Sequence, residues 1–140
     1  MTRRPDDAQL TVGTTGFVVL AEGEGTLVPA ELVYRPDDCL AARLVLLGSD
    51  GLAVGWTFAW ELLARGLMSP VGDGDIAVRP APSPVDGIEV SLGPRSAARV
   101  WLPGDNVTEF VRKVHGRVAL DARRIAPALD RELATITNGT

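Results

Sequence analysis

The sequence predicts an α+β fold, with two antiparallel β-sheets carrying helices in the order ββββα–βββαα. Three observations lead there. Apolar and polar residues alternate with period two over several runs of strand length. The connectors between those runs are turn-forming, rich in Gly, Asp and Pro. Helical spacing appears only after each group of strands, so the chain lacks the rhythm of a parallel βαβ sheet.

The elements follow in order. Residues 1–9 are polar and read as a loose tail, leaving residues 10–137 as one domain, the number that 140 residues predict. The first strand is Leu10–Ala21, closed by the turn Glu22–Gly25. In the second, Val28, Ala30, Leu32 and Tyr34 share one face, and Arg35–Asp38 turns the chain. Leu40, Ala42, Leu44 and Leu46 form the third. Gly48–Gly51 makes a tight hairpin, and Leu52, Val54, Trp56 and Phe58 return as the fourth.

A helix over Ala59–Gly66 follows, with Gly66 as its terminating residue, and Met68–Asp75 reads as a loop. The second strand set begins with Ile76 and Val78. Arg79–Gly87 holds three prolines and is no central strand. Ile88, Val90 and Leu92 alternate with Glu89 and Ser91, and Ala98, Val100 and Leu102 with Arg99 and Trp101. Val107, Phe110, Val111 and Val114 then make one apolar helical stripe, with Asn106 and Glu109 spaced as in a capping box. A last helix carries Leu129, Leu133 and Ile136. The two halves share a strands-then-helix plan, without a sequence repeat.

Composition narrows the function. A net charge of −4 opposes a dedicated nucleic-acid binder, which needs a basic field to displace counterions from phosphate. The single cysteine, Cys39, allows no internal disulfide and fits a reducing compartment. No apolar run reaches the ~20 residues of a membrane span, and "MTRRPDDAQL" has no apolar signal core. The expectation is a cytoplasmic protein.

Catalytic and metal motifs are weak. His115, the one histidine, precedes Gly116 at a predicted helix end, where a cation near the terminal carbonyls is favoured over a catalytic base. One Cys and one His cannot make a zinc site. "GDGD", Gly72–Asp75, lacks the spacing of a calcium loop and reads as a turn. Asp37–Asp38 and Asp73/Asp75 read as solvated turn carboxylates rather than acid/base pairs. No enzyme, cofactor or metal is expected. Arg112, Lys113, Arg117, Arg123 and Arg124 form a late basic cluster, which keeps single-stranded nucleic-acid binding as the alternative.

The block "VGWTFAWELLARGLMSPVGDGDIAVRP", Val54–Pro80, resembles the core of the SsgA-like proteins, actinobacterial proteins of sporulation-specific cell division, with an SsgB-like branch in view. Trp56, Phe58, Ala59, Leu62, Leu63, Gly66, Leu67, Pro70, Gly72, Gly74, Asp75, Ile76 and Pro80 fill the family's pattern. Upstream, Val28, Pro29, Leu32, Tyr34, Asp38 and Ala41 match a second segment. Trp60 and Arg79 depart from it, standing where many members carry Arg and Trp respectively.

The resemblance implies a whirly-like single domain and a non-catalytic adaptor at septum sites. Its partners would be division proteins such as FtsZ and other SsgA-like proteins, and the chain would form a homo-oligomer, a trimer favoured. Nucleic acid is an unlikely partner. Trp60, Arg65, Arg79 and Trp101 are the candidate interaction surface, Trp60 being a core residue if packed under the sheet. Trp56, Phe58, Leu62, Leu63, Gly66, Gly72, Gly74 and Asp75 are expected to be structural, the glycines supplying backbone angles that side chains resist.

Overall fold

The computed structural model describes residues 9–21, 24–94, 98–118 and 120. The expected tail before residue 9 and the expected helix at Leu129–Ile136 lie outside the described residues, as do Arg123 and Arg124.

Eight strands and two α-helices are described, with a 3-10 turn at Pro36–Asp38. They are β1 (Leu10–Ala21), β2 (Glu24–Tyr34), β3 (Ala41–Leu47), β4 (Ala53–Ala59), α1 (Glu61–Gly66), β5 (Val71–Asp73), β6 (Ile76–Pro80), β7 (Gly87–Leu92), β8 (Ala98–Pro103) and α2 (residues 104–118). All eight strands form one sheet in the order β4-β3-β2-β1-β8-β7-β6-β5. The expected pair of sheets is thereby corrected to one. Phe17, Val18 and Val19 of β1 pair with Trp101, Val100 and Arg99 of β8, fusing two antiparallel four-stranded meanders. Each meander is followed by a helix, so the strands-then-helix plan of the two halves is present in the chain order.

The connection across α1 forces this sheet to curl. Seven steps of about 4.8 Å would set β4 and β5 about 34 Å apart in a flat sheet. Only residues 60–70 join them. Six helical residues rise about 9 Å, and the remaining five reach about 17 Å even when extended. The two edges must therefore approach each other.

The core lies inside the curl. Leu32, Tyr34, Leu44, Val78, Ile88, Val90, Leu92, Val100 and Leu102 are buried on its inner face. Val107, Phe110 and Val114 of α2 cover it with the predicted stripe. Each such aliphatic side chain contributes about 1.5–3 kcal/mol on burial. Thr14 Oγ1 donates to Asn106 Oδ1 at 2.8 Å, tying α2 to β1.

Several local expectations need correction. Asn106 is not a cap, because α2 already begins at residue 104 and its side chain serves β1 instead. Gly116 lies inside α2 rather than after it, and His115 stands edge-on to Trp60 with ring centroids 6.3 Å apart. β5 falls within the stretch read as a loop: Val71–Asp73 offers one apolar residue, too little for a period-two signal, and becomes a strand by pairing with Ile76–Val78. The second strand begins at Glu24, inside the expected turn. Pro29 sits in β2 just past the end of its ladder with β3, where a missing N–H is tolerated.

The glycines divide by role. Gly74 has φ +62° as the first central residue of the two-residue β5–β6 turn, a position that favours glycine. Gly66 and Gly72 have no such angle. Gly66 is instead the last residue of α1, pressed so closely on Val78 of β6 that a Cβ would collide with it. A Cβ added to Gly72 would lie 3.3 Å from the Ile76 carbonyl oxygen, a tight fit.

Candidate interaction face

Strand register builds a site on the outer face of the sheet. Arg79 of β6 pairs with Glu89 of β7, Glu89 with Trp101 of β8, Trp101 with Phe17 of β1, and Phe17 with Leu27 of β2. These five residues form one rung across five strands. Their chain neighbours Val78, Ile88, Val90, Val100 and Leu102 point into the core, so the rung points away from it. The adjacent rung is Ala77, Ser91, Arg99, Val19 and Gly25.

The centre of this face is dry and charged at once. Glu89 is 1% exposed, although period-two alternation assigns it to the solvated side. Its Oε2 lies 3.0 Å from Arg79 Nη2 and its Oε1 lies 3.7 Å from Arg99 Nη1. The two arginine side chains are 54% and 43% exposed, so they cover the carboxylate while their heads reach water. Ser91 beside Glu89 is also buried.

The aromatic half is equally fixed. The Phe17 and Trp101 rings stack with centroids 5.2 Å apart and planes 22° apart, an offset arrangement that contributes about 0.5–1.5 kcal/mol beyond area burial. The Phe17 ring lies over Gly25, where any Cβ would collide with it. Trp101 Nε1 is buried with no acceptor among the described residues. An unpaired buried donor costs about 1–3 kcal/mol, which makes this the one stressed polar atom among the described side chains of the face.

The expected surface residues therefore separate. Arg79 and Trp101 are brought together on one rung, each opposite Glu89. Trp60 is buried in the core at 7% and is not available as surface. Arg65 is exposed on α1, outside the rung. Of the residues expected to be structural, Phe58, Leu62, Leu63 and Gly66 are buried, Trp56 is half-buried against the core, and Gly72, Gly74 and Asp75 are exposed at the β5–β6 hairpin. Phe17, Glu89 and Arg99 were missed. Each is an alternate strand position with no motif, and only the strand register reveals that they meet.

Elsewhere, a concavity of about 470 Å³ is lined by Val33, Arg35, Asp37, Asp38, Ala41, Ala42, Arg43 and Thr57. The sequence offered no sign of a cleft around Asp37 and Asp38, and the structure places one there. Both carboxylates remain exposed, with two arginines in the same lining. Arg43 Nη1 donates to Thr57 Oγ1 at 3.3 Å. Among the described residues no group of three His, Cys, Asp or Glu side chains could hold a metal ion. No described helix is long and apolar enough to cross a membrane.

Comparison with known proteins bears on the family and the fold. The profile of the family described as Streptomyces sporulation and cell division protein, SsgA, matches residues 28–122. A sporulation-specific cell division protein of Frankia casuarinae is 39% identical over 102 residues, 71% of this chain and 70% of that protein. SsgB of the same organism is 33% identical over 124 residues, 87% of each chain. A structure solved in work on SsgB mutations and longitudinal cell division during sporulation of Streptomyces coelicolor superposes with a TM-score of 0.72 at 26% identity. It covers 83% of this chain and 97% of that one. An SsgA-like sporulation-specific cell division protein of Thermobifida fusca shares the fold, with a TM-score of 0.74 at 22% identity over 88% and 95% of the two chains. The chain belongs to the SsgA family of sporulation and cell division proteins.

Proposed function

We propose that this chain is a non-catalytic adaptor that docks a division protein on the Arg79–Glu89–Trp101–Phe17 rung and so positions FtsZ at septum sites. The observation that carries the reading is the rung itself. Five side chains on four strands, the rung together with Arg99 beside it, hold a buried carboxylate between two part-exposed arginines, next to a stacked aromatic pair with an N–H donor that has no acceptor among the described residues. Aromatic and arginine side chains on rigid elements are what protein interfaces use as anchors. The family's members named above are division proteins, which supplies the process.

In this reading the adaptor works in the cytoplasm at the septum, as a homo-oligomer and alongside other SsgA-like proteins. Its test is co-purification of FtsZ with the tagged chain from a dividing actinomycete, and septal fluorescence of the same fusion. Fluorescence that stays diffuse throughout septation, with no FtsZ captured, contradicts it.

Two aromatics beside two arginines also suit single-stranded nucleic acid. Glu89 at the centre of the rung and the net charge of −4 oppose that partner. A salt-dependent gel shift on single-stranded DNA would establish it instead.

A further inference from the structure

Three strands and one turn enclose the concavity of about 470 Å³. Leu32 and Tyr34 of β2 point into the core, so Val33 between them faces outward. Val33 is nevertheless only 8% exposed, and it floors the depression. Register sets Val33 opposite Arg43 of β3, and Arg43 opposite Thr57 of β4. Past the end of β2 the chain bends through Pro36–Asp38, where the Asp38 N–H donates to the Arg35 carbonyl at 3.1 Å. That turn adds Arg35, Asp37 and Asp38 to the wall.

The wall carries two charges of each sign, and they do not neutralise one another. Among the described residues, none of Arg35, Arg43, Asp37 and Asp38 takes part in an ion pair. All four are exposed. Arg43 is also held in advance. Its guanidinium lies so close to Gly55 of β4 that a Cβ there would collide with it, and its Nη1 donates to Thr57 Oγ1 at 3.3 Å. A guanidinium has five N–H donors, so this bond fixes the group and leaves donors to spare.

We propose that the concavity binds a small zwitterion of the amino-acid or short-peptide class. The ligand's carboxylate lies on Arg43 and Arg35, where a guanidinium fork takes both oxygens. Its ammonium lies toward Asp37 and Asp38, and its apolar part lies over Val33. Ligands of one sign fit worse: phosphate would meet two carboxylates, and a polyamine would meet two guanidiniums. The volume falls within the range of about 300–1,000 Å³ common to small-molecule sites, and a guanidinium already in place lowers the ordering cost of binding. Val33 lies six residues along β2 from Leu27, about 20 Å. The concavity is thus separate from the rung and does not depend on the adaptor reading.

Amide NMR spectra of the full chain, titrated separately with alanine and with trialanine, test the proposal. Saturable shifts are expected at Val33, Arg35, Asp37, Asp38, Arg43 and Thr57, and the compound that saturates at lower concentration tells amino acid from peptide. Acetylating the ammonium or amidating the carboxylate of that compound should each weaken binding at least about tenfold. These titrations use the native chain and stand even if a variant fails to fold. Arg43→Gln and Asp37→Asn should each weaken binding by a similar factor, while Glu61→Gln on α1 leaves it unchanged. Circular dichroism checks that the variants fold. No saturable shift with either compound up to about 10 mM, blocked compounds that bind as well as the free one, or folded variants at Arg43 and Asp37 that bind as the native chain does, each overturn the proposal.

Discussion

Glu89 and Arg79 meet at 3.0 Å directly across β7 and β6, on the side of the sheet that alternation assigns to solvent. The pair is asymmetric, because the carboxylate is 1% exposed and the arginine side chain 54%. Losing the arginine leaves a buried charge served, among the described residues, by Arg99 alone at 3.7 Å. Losing the carboxylate frees two guanidiniums that can reach water. Arg79→Met should therefore destabilise by about 1–3 kcal/mol, and Glu89→Gln by less. Thermal melts of the two variants check the order. Equal losses would show that the carboxylate is better hydrated than its burial implies.

Gly66 and Gly74 should fail for different reasons. Gly66 touches Val78, so Gly66→Ala overpacks the α1–β6 contact at a cost of about 1–3 kcal/mol. Adding Val78→Ala should restore part of that loss, visible as coupling in a double-mutant cycle. Gly74 has open space around it, and its φ of +62° alone sets the cost. Gly74→Val should lose at least about 1–2 kcal/mol, and Gly74→Asn less, since Asn tolerates the left-handed region. A Gly74→Val chain with unchanged melting temperature but lost septal localisation would move that turn from folding to docking.

Thr14 and Asn106 provide the hydrogen bond that ties α2 to β1. Asn106→Ala should cost about 0.5–1.5 kcal/mol, and removing Thr14 as well should add little for the bond itself. Additive losses in urea melts would mean the two side chains act independently.

Lys113 sits 2.9 Å from Glu109 on the next turn of α2. Its hydrogen bond, and then its charge, hold the Glu109 carboxyl below the ordinary glutamate range. A carboxylate depressed in the folded state stabilises above its unfolded pKa and loses that contribution as pH falls through the folded value. The advantage of the native chain over Glu109→Gln should be small at neutral pH, vanish in acid, and shrink with added salt. A difference that does not change with pH would rule out the ion pair as its source.

Much of the fold could be read from residue order. Alternation located seven of the strands, and the Val107–Val114 stripe located α2 and its buried face. What alternation cannot report is which strand edges meet. The β1–β8 pairing joins residues about 80 positions apart, and it converts two expected sheets into one. The candidate face was hidden for the same reason. Arg79 and Trp101 were visible as candidates, but Glu89 looked solvated until register placed it between two arginines and a tryptophan. Trp60 was ambiguous because the start of a short helix has no period of its own. Its place under α2, against His115, is fixed by tertiary packing.

The most direct test of the docking face is Trp101→Phe. This change keeps a ring stacked on Phe17 and deletes the buried, unanswered N–H. The expected result is a melting temperature at or above that of the native chain, together with reduced FtsZ co-purification and weaker septal fluorescence. A Trp101→Phe chain that folds normally and captures FtsZ as well as the native chain, with Arg99→Glu equally without effect, would contradict it.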